Sequence, residues 1–448
     1  MCAASSIIPV NPVQSALRTA PFSFTELNVP TLAEWLERIE RQHPRAIDMG
    51  LERVAEVAAR MALSRPAARV VTVAGTNGKG STVAFIEAIV RAAGLSVGAY
   101  TSPHLLAYNE RVRINGIDAA DADLVEAFEA VEAARGATTL TYFEHGTLAA
   151  LWLFERAGLD LAILEVGLGG RLDATNIVDP DVAVVTTVDL DHQAWLGEDR
   201  ERIGHEKAGI ARAWKPLVIG DDDPPSSVLR HAYAVGAPAI RVGCDFFFEP
   251  PAGDAASWSW REVGCELELP LPPLAAPVQL RNAAVAIAAV RALDLPVAAQ
   301  DIERGVATAS VAGRLQRFER EGVEVLVDVG HNPQAAAALA DFLAIGDAGG
   351  AVHAVYAALD DKDVAGVVSA LAGRVGRWYL AGLEDAGPRG QTVDALAERL
   401  AGTAAGQASR HPGVDAALAA ALAAAVPGDR VLAFGSFHTA AAALAALG

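Results

Sequence analysis

The residues with the clearest chemical potential form a glycine-rich segment between a predicted strand and a predicted helix. It reads Val73-Ala-Gly-Thr-Asn-Gly-Lys-Gly-Ser-Thr82. Gly75, Gly78 and Gly80 let the backbone turn with its N–H groups facing inward, and Lys79 supplies a charge for β and γ phosphates. We therefore predict a phosphate-binding loop; the alternative is an ordinary glycine-rich turn with an exposed lysine. The standard Walker pattern places Ser or Thr directly after the lysine, whereas a glycine intervenes here.

Three further polar residues follow predicted strands of the same region. Glu165 ends an apolar run, where a carboxylate could reach Mg²⁺, and His192 lies just past the next strand. Lys207 follows on a predicted helix. A carboxylate, an imidazole and a lysine beside a phosphate loop are the components of an ATP–Mg²⁺ site. Each of them, taken alone, is equally compatible with a solvated surface residue.

A second group of polar residues lies in the carboxyl-terminal part of the chain. The run Val325-Leu-Val-Asp-Val-Gly-His-Asn-Pro333 predicts a strand that ends at Asp328, His331 and Asn332. Arg314 precedes it at a predicted hinge, from which a basic side chain reaches the γ-phosphate only when the domains close and exclude water. A strand-end turn with a capping asparagine is the alternative.

The elements that must position these residues alternate in type along the chain. A capping box at Thr31 to Glu34 predicts an early helix. Apolar runs predict strands at 70–74, 96–100, 161–166 and 182–187, and helical patterns fall at 82–93 and 282–293. Continuous apolar strands separated by helices indicate a mostly parallel sheet covered on both faces, with ligands bound at its carboxyl end. The proline-rich stretch 221–277 predicts a β-rich excursion from this domain.

A second α/β series begins after residue 309. Its predicted strands are 323–328, 352–357 and 430–434, with alanine-rich helices between them. We therefore predict an α/β protein of two domains. An ATP-binding P-loop domain with a mostly parallel sheet would span residues 1–308, and a smaller Rossmann-like domain would span residues 309–448.

Composition limits the classes of partner. The 448 residues include 36 Lys+Arg and 55 Asp+Glu, a formal net charge of −19, which opposes extensive binding to nucleic acid or anionic lipid. Cys2, Cys244 and Cys265 are too scattered for a disulfide framework or a zinc site. Residues 1–22 do not resemble a signal peptide, and the longest apolar stretch, 416–426, is too short to span a membrane. These features predict a cytoplasmic protein.

Taken together, the motifs resemble the Mur-ligase superfamily, and within it the folylpolyglutamate synthase and dihydrofolate synthase family. The segments that carry the resemblance are Gly75-Thr-Asn-Gly-Lys-Gly-Ser81, Thr101-Ser-Pro-His-Leu105, Asn109-Glu-Arg-Val-Arg-Ile-Asn-Gly116, 164–176, Glu206-Lys-Ala-Gly-Ile210, Asp328-Val-Gly-His-Asn-Pro333 and Gly435-Ser-Phe-His-Thr439. Gly80 after the lysine separates this family from the cell-wall Mur ligases, whose loop runs Gly-Lys-Thr.

The resemblance implies a Mur-ligase central domain followed by a glutamate ligase domain, and a bifunctional amide ligase. The carboxylate of dihydropteroate or of a reduced folate would attack the γ-phosphate of ATP, and L-glutamate would displace phosphate from the resulting acyl phosphate. A monomer is expected. Two alternatives remain: a ligase of the same superfamily that acts on another acceptor, such as a cell-wall precursor, and a nucleotide-binding protein that has lost the chemistry.

The resemblance also implies roles for individual residues. The expected catalytic residues are Lys79, Lys207, His331 and Arg314. The expected nucleotide contacts are Gly75, Thr76, Asn77, Gly78, Lys79, Gly80, Ser81, Thr82, Asn282, Arg314 and Asp328. The expected substrate contacts are Ser102, Pro103, His104, Phe143, Asp173 and Ala174, although Tyr142 and Phe143 could equally be core residues. The expected magnesium ligands are Ser81, Glu165, His192 and Lys207.

Lys207 has a special place in this scheme. It would correspond to a lysine that family members carry as a carbamate, which behaves as a carboxylate and could hold a second Mg²⁺. Carbamylation requires an uncharged amine, and a desolvated lysine has the lowered pKa that this demands. The expected cofactors are therefore ATP, two Mg²⁺ ions, a carbamylated Lys207 and K⁺.

Overall fold

The computed structural model describes residues 30–45, 47–253, 255–274, 276–345 and 349–448. Residues 1–22, which do not resemble a signal peptide, lie outside the described residues, and Cys2 lies among them. Within the described ranges, no helix combines the length and the apolar composition needed to cross a membrane.

A mostly parallel sheet forms the centre of the amino-terminal domain, as predicted. Its strands are β1 (Ala67–Ala74), β2 (Val97–Tyr100), β3 (Val112–Ile114), β4 (Ile117–Asp118), β5 (Leu159–Glu165), β6 (Val182–Val185), β7 (Leu217–Ile219) and β8 (Ala239–Arg241). Their order is β4-β3-β2-β5-β1-β6-β7-β8, parallel from β2 to β8 with an antiparallel hairpin at the β4 edge. β1 is buried throughout residues 70–74 because helices cover both faces of the sheet.

The first of the helices in this domain begins with the predicted capping box. The Thr31 hydroxyl accepts the Glu34 N–H at 3.3 Å, and the Glu34 carboxylate accepts the Thr31 N–H at 2.7 Å. The helices are α1 (Leu32–Glu40), α2 (Glu52–Arg60), α3 (Lys79–Ala92), α4 (Asp121–Arg135), α5 (Tyr142–Ala157), α6 (Gln193–Leu196), α7 (Arg200–Ala208), α8 (Ser226–Val235), α9 (Val278–Ala292) and α10 (Ala299–Thr308). Short 3₁₀ turns lie at Tyr108–Arg111 and Ala174–Ile177.

The proline-rich stretch only partly follows its prediction. Its second half forms an antiparallel sheet of β9 (Phe246–Glu249), β10 (Ser257–Glu262) and β11 (Cys265–Pro270). Trp260 is buried there, and its indole N–H donates to the Ala284 carbonyl of α9 at 3.1 Å. The first half instead contains α8, whose Val228 and Ala232 pack into the core beneath β7. The β-rich interpretation was wrong for residues 226–235, because a helical apolar face was overlooked among the prolines.

The carboxyl-terminal domain is built on a second sheet. Its strands are β12 (Gln316–Arg320), β13 (Val323–Val327), β14 (Val352–Tyr356), β15 (Arg377–Ala381), β16 (Ser409–His411) and β17 (Arg430–Phe434). The order is β12-β13-β17-β14-β15-β16, and all strands except β12 are parallel. Its helices are α11 (Pro333–Ala344), α12 (Val364–Ala370), α13 (Val393–Arg399), α14 (Val414–Ala424) and α15 (Phe437–Leu447), with a 3₁₀ turn at Gly387–Arg389.

The polar ends of several strands face the junction of the two sheets. β1 pairs with β5 through Val73 and Glu165, and with β6 through Ala74 and Val185. The carboxyl ends of β1, β5 and β6 therefore lie side by side. α10 ends at Thr308 and β12 begins at Gln316, so the connection between the sheets passes through Arg314.

Candidate active site

The predicted phosphate loop connects β1 to the amino end of α3. Gly75 and Gly78 have φ values of +155° and +84°. A Cβ atom at Gly75 would lie 1.8 Å from the Thr186 Oγ1, and one at Gly78 would lie 2.5 Å from the Asn282 Oδ1. Neither position tolerates a side chain, so the glycines are required by both the backbone angle and the close neighbours.

Two threonines after β6 hold this loop in place. The Asn77 N–H donates to the Thr187 Oγ1 at 3.0 Å, and the Thr186 hydroxyl donates to the Asn77 carbonyl at 2.6 Å. The Thr76 N–H donates to the Thr187 carbonyl at 2.8 Å. Thr76 also accepts the Asp189 N–H through its hydroxyl at 2.9 Å. The loop is therefore rigid before any nucleotide binds.

Lys79 lies at the base of the loop, at the start of α3. Its ammonium donates to the Gly75 carbonyl at 3.1 Å, so the charge is held over the loop. Ser81 and Thr82 follow on the first turn and are almost completely buried. A helix amino end, a lysine and a hydroxyl at this point are the groups that a phosphate–Mg²⁺ pair requires.

The glycine that departs from the Walker pattern faces the junction of the domains. A Cβ atom at Gly80 would lie 3.8 Å from the Glu165 Oε2 and 3.6 Å from the Arg314 Nη2. A longer side chain there would fill the space between the carboxylate and the guanidinium. The glycine thus keeps a gap between an acidic group of one domain and the basic residue that joins the two.

Glu165 is the buried carboxylate at the end of β5, with 4% of its surface exposed. Burial raises its pKa, while the charge of Lys79, the Ser102 N–H and the charge of Arg314 act in the opposite direction. The Ser102 N–H donates to the Glu165 Oε2 at 3.1 Å. The carboxylate is therefore fixed in place, at the position where the sequence predicted a metal ligand.

Lys207 is buried on α7, with 3% of its surface exposed. Burial, and next the charge of Lys79, lowers its pKa to about 7. The Asp199 side chain caps the helix by accepting the Arg202 N–H at 2.8 Å. An amine with such a pKa is substantially uncharged near neutral pH, which carbamylation requires.

A cluster of charged side chains joins the domains next to His192. The Asp191 carboxylate lies 2.7 Å from the Lys362 Nζ and 3.3 Å from the His331 Nε2. Burial would raise the Asp191 pKa, but the His331 hydrogen bond and the charges of His192 and Lys362 outweigh it, so that the pKa falls well below its usual range. Burial lowers the pKa of His192 to about 4, leaving a neutral imidazole that is competent as a metal ligand.

The phosphate loop also contacts the second domain directly. The Asn77 and Asn332 side-chain amides exchange hydrogen bonds of 3.1 and 3.2 Å. Asn332 caps α11 as well, accepting the Ala335 N–H at 2.9 Å. Asn332 therefore caps α11, as predicted, and also contacts the phosphate loop.

Arg314 and Asp328 occupy the connection between the domains. The Asp328 carboxylate accepts the Leu315 N–H at 2.8 Å and the Gly330 N–H at 2.6 Å, which fixes the turn that carries the arginine. The Arg314 guanidinium lies 5.3 Å from the ring centroid of Phe437. Asp328 thus holds this turn, and its expected contact with the nucleotide stays a prediction.

One cavity of about 540 Å³ lies between the domains and gathers most of the remaining predicted residues. The predicted residues that line it are Ser102, Pro103, His104, Phe143, Asp173, Ala174, His192 and His331. The carboxyl-terminal domain contributes Lys362, Phe437 and His438 to its wall. The cavity is therefore shared between the domains and has basic groups on one side.

Two of the expected substrate contacts, Phe143 and Asp173, lie in the wall of this cavity. A Cβ atom at Gly167 would lie 2.7 Å from the Phe143 ring, so the glycine lets the aromatic ring cover the loop. The Asp173 Oδ1 accepts the Thr175 N–H at 3.0 Å, and its Oδ2 accepts the Leu168 N–H at 2.9 Å. Asp173 thus shapes its own loop, and only its remaining lone pairs are available to a ligand.

Several functional residues were missed by the sequence interpretation. Thr186 and Thr187 are the last two residues of the strand predicted at 182–187, so their position at its carboxyl end was a usable signal. Asp191 and Lys362 are 171 residues apart in the chain, and no local pattern predicts their contact. Residues 47–50 also line the cavity, although nothing in their sequence indicated this.

The residues present fit a magnesium ion that is shared with nucleotide phosphates. Among the described residues, no three His, Cys, Asp or Glu side chains come together as a metal cluster. Mg²⁺ typically uses one or two protein carboxylates and completes its shell with phosphate and water. Glu165 and the buried Ser81 hydroxyl supply oxygen ligands of the expected kind, beside a preformed phosphate loop.

Comparisons with known families match both domains. Residues 73–290 match the Mur ligase middle domain, and residues 313–437 match the Mur ligase glutamate ligase domain. The dihydrofolate synthase/folylpolyglutamate synthase of Escherichia coli (strain K12) is 48% identical over 409 residues, 91% of this chain and 93% of that protein. The Haemophilus influenzae protein of the same name is 41% identical over 427 residues, 91% of this chain and 95% of that protein.

Solved structures agree with these relatives. An Escherichia coli structure in complex with DHPP and ADP has a TM-score of 0.88 at 46% identity, covering 93% of this chain and 98% of that one. A bifunctional folylpolyglutamate synthase/dihydrofolate synthase with Mn, AMPPNP and L-glutamate bound has a TM-score of 0.86 at the same identity and coverage. The resemblance seen in the motifs is thereby confirmed, and this chain belongs to the dihydrofolate synthase/folylpolyglutamate synthase family of the Mur ligases.

Proposed function

We propose that this chain is an ATP-dependent ligase that joins L-glutamate to dihydropteroate and, in a second activity, to tetrahydrofolate and its polyglutamates. The observation that carries the proposal is the cavity of about 540 Å³ between the domains, whose wall includes Ser102, the residue whose N–H donates to Glu165. The relatives' names and the bound DHPP, ADP, AMPPNP and L-glutamate support the same substrates.

The reaction has two steps, the first of which exchanges the β–γ phosphoanhydride bond of ATP for an acyl–phosphate bond, and the second of which exchanges the acyl–phosphate bond for an amide bond. A carboxylate oxygen of the pteroyl substrate attacks the γ-phosphorus of ATP, and ADP leaves. The glutamate amine then attacks the acyl carbon of the acyl phosphate, loses a proton, and displaces inorganic phosphate. Both steps bring several negative charges together, so catalysis depends on fixed positive groups and on exclusion of water.

The chain's own residues meet that need from two sides. Lys79, held over the loop by the Gly75 carbonyl, neutralises phosphate charge in the amino-terminal domain. Arg314 approaches Gly80 from the connection between the domains. Mg²⁺, held by Ser81, Glu165 and His192, would polarise the γ-phosphate and neutralise the leaving ADP.

We place a carbamate on Lys207, which its burial and its pKa of about 7 support. The modified side chain would be a carboxylate able to hold a second Mg²⁺. His331 is within hydrogen-bond reach of Asp191 and lines the cavity, and we assign it the role of orienting the glutamate amine for attack.

The pteroyl end of the substrate would enter between Phe143 and Asp173. The aromatic face stacks on the pterin, and the free lone pairs of the carboxylate accept its N–H groups. Ser102, Pro103 and His104 form the adjoining wall, and Ala174 leaves room beside the ring.

The remaining expectations are part of the same proposal. Asn282, which lies against Gly78, would contact the nucleotide. K⁺ as a further cofactor, a monomeric state, a cytoplasmic location and the division of the chain at residues 308 and 309 stay predictions.

The direct test gives purified protein ATP, Mg²⁺ and L-glutamate, with dihydropteroate or tetrahydrofolate in parallel reactions. We expect each acceptor to drive release of ADP and phosphate and to gain one glutamate by mass. A cell-wall precursor carboxylate serves as the competing acceptor. Turnover with neither pteroyl acceptor would refute the proposal, and turnover with only one would remove the second activity.

A further inference from the structure

The segment at residues 109–113 is hydrogen-bonded to the loop that forms one wall of the cavity. Glu110 accepts three hydrogen bonds from successive backbone N–H groups at residues 105, 106 and 107, with N···O distances of 2.7, 2.7 and 2.9 Å. The Thr101 N–H donates to the Arg111 carbonyl at 2.9 Å. The wall loop at residues 101–107 is therefore tied to this segment at both of its ends.

Arg111 contacts the same loop through His104. Its Nε–H donates to the His104 Nδ1 at 2.8 Å. Its guanidinium carbon lies 5.4 Å from the ring centroid of Tyr108 and 5.5 Å from that of Tyr142. Only 9% of Arg111 is exposed, and none of the ion pairs among the described residues involves it. The arginine is thus held by aromatic rings and by the imidazole.

This contact fixes the protonation of the imidazole. The Nε–H of an arginine can only donate, so the His104 Nδ1 must accept and carries no proton. A neutral ring then has its proton on Nε2. Burial, and next the charge of Arg111, lowers the pKa of His104 to about 4, which agrees with a neutral ring.

The other ring nitrogen of His104 is available to a ligand. His104 lines the cavity between the domains, and in the described part of the chain only its Nδ1 has a hydrogen-bond partner. A neutral Nε2–H is a donor that suits a carbonyl or carboxylate oxygen. Tyr142 lies next to Phe143 at the start of α5, so Arg111 also links this donor to the predicted pterin-stacking ring.

We propose that Glu110 and Arg111 are positioning residues that orient His104, so that its Nε2–H donates a hydrogen bond to an oxygen of the pteroyl substrate. This inference rests on the proposed function, because it takes the pteroyl group as the occupant of the cavity. A donor fixed before binding loses little freedom when the substrate arrives, which favours affinity and orientation.

The test is a double-mutant cycle read in steady-state kinetics with dihydropteroate as the varied substrate. Arg111→Met and His104→Leu should each raise the KM for dihydropteroate by about tenfold, with the KM for ATP unchanged. Because the arginine acts through the imidazole, the double variant should be no worse than His104→Leu alone. Losses that multiply in the double variant would overturn the proposal.

Conservative variants keep the test decisive if Arg111→Met does not fold. His104→Gln retains an N–H donor and should keep a KM close to the wild type, whereas His104→Leu should not; equal values for the two would also overturn the proposal. Glu110→Gln loses an acceptor oxygen and should raise the KM for dihydropteroate. An unchanged KM would show that Glu110 is not one of the positioning residues.

Arg156→Met is the matched control. Arg156 stacks on Trp152 at 4.3 Å on the surface of the same domain, so its loss removes a cation–aromatic contact far from the cavity. We expect wild-type kinetics from it. If the wild type itself does not consume dihydropteroate, the proposed function fails; if the wild type is active and the variants match it, only the positioning of His104 fails.

Discussion

At the scale of single residues, the sequence identified those candidate site residues whose neighbours in the chain form a recognisable strand or motif. Lys79, Glu165 and Asp328 each follow a strand, and parallel strands bring their carboxyl ends to one edge. Arg111 lies in a segment that carries the resemblance, but neither it nor Lys362 could be given a role, because their partners come from loops with no recognisable spacing to them. The buried environment that sets the pKa of Lys207 is also a property of packing, so the sequence could name the lysine but not its state.

Lys207 gives the clearest prediction at this scale. Lys207→Ala should lower kcat by on the order of 10² to 10³ while ADP affinity is largely retained, because the proposed carbamate, a negative metal-binding group, would be lost from a charged centre. Short carboxylates such as acetate should restore part of the activity by entering the space left. The measurement is turnover alongside calorimetric ADP binding. Full activity of the unrescued variant would remove the carbamate from the mechanism.

At the scale of elements, the main strands were predictable because burial on both faces produces continuous apolar runs. β1, β5, β6, β13 and β17 all follow this pattern. α8 was missed because prolines surround its sequence. β15 and β16 were missed because only alanine-rich helices were predicted between residues 357 and 430. The contact of Asn77 with Asn332 depends on how two separately folded sheets meet, which no element reveals alone.

The threonines after β6 provide a prediction at the scale of elements. Thr187→Val should weaken ATP binding about fivefold, because the Asn77 N–H loses its acceptor. Thr72→Val is the control, since the Thr72 hydroxyl is buried on β1 without a hydrogen-bond partner. That variant should bind ATP normally and be at least as stable as the wild type. Equal ATP affinities for the two variants would show that the hydrogen bond from Asn77 to Thr187 does not support the loop.

α5 carries a second prediction, on stability. His145 is fully buried, and burial lowers its pKa to about 4. Between pH 6.5 and 4 the unfolded chain binds a proton that the native ring does not, so the free energy of unfolding falls as the pH falls. The loss from this group is on the order of 2 to 3 kcal/mol.

His145→Phe should flatten that part of the pH profile, as measured by urea unfolding at several pH values. A profile for His145→Phe that parallels the wild type would contradict the assignment.

At the scale of the whole molecule, the net charge of −19 and the anionic ligands are compatible because the positive charge is local. Lys79, Arg314 and Lys362 act over a few ångströms, whereas surface charges are screened beyond about 8 to 10 Å at cellular salt. Composition therefore predicts that broad polyanion binding is disfavoured, but it could not predict how the two sheets enclose a cavity. That arrangement depends on contacts between distant segments.

Asp191 is the group through which this arrangement can be tested. Asp191→Asn leaves the buried Lys362 without its anion, so the domains should separate more readily and kcat/KM for glutamate should fall by about tenfold or more. Small-angle X-ray scattering with ADP would report the larger radius of gyration. Asp360→Asn removes an exposed charge from the same segment as Lys362 and should change neither quantity. An unchanged radius of gyration in Asp191→Asn would argue against the interdomain contact.

The most direct test of the central claim follows one oxygen atom. Dihydropteroate labelled with ¹⁸O in its carboxylate is incubated with the protein, ATP, Mg²⁺ and L-glutamate, and the released phosphate is analysed by mass spectrometry. Formation of an acyl phosphate transfers one substrate oxygen to phosphorus, so we predict one ¹⁸O atom in each phosphate released from fully labelled substrate. Unlabelled phosphate accompanied by formation of the glutamate product would contradict the acyl-phosphate ligase.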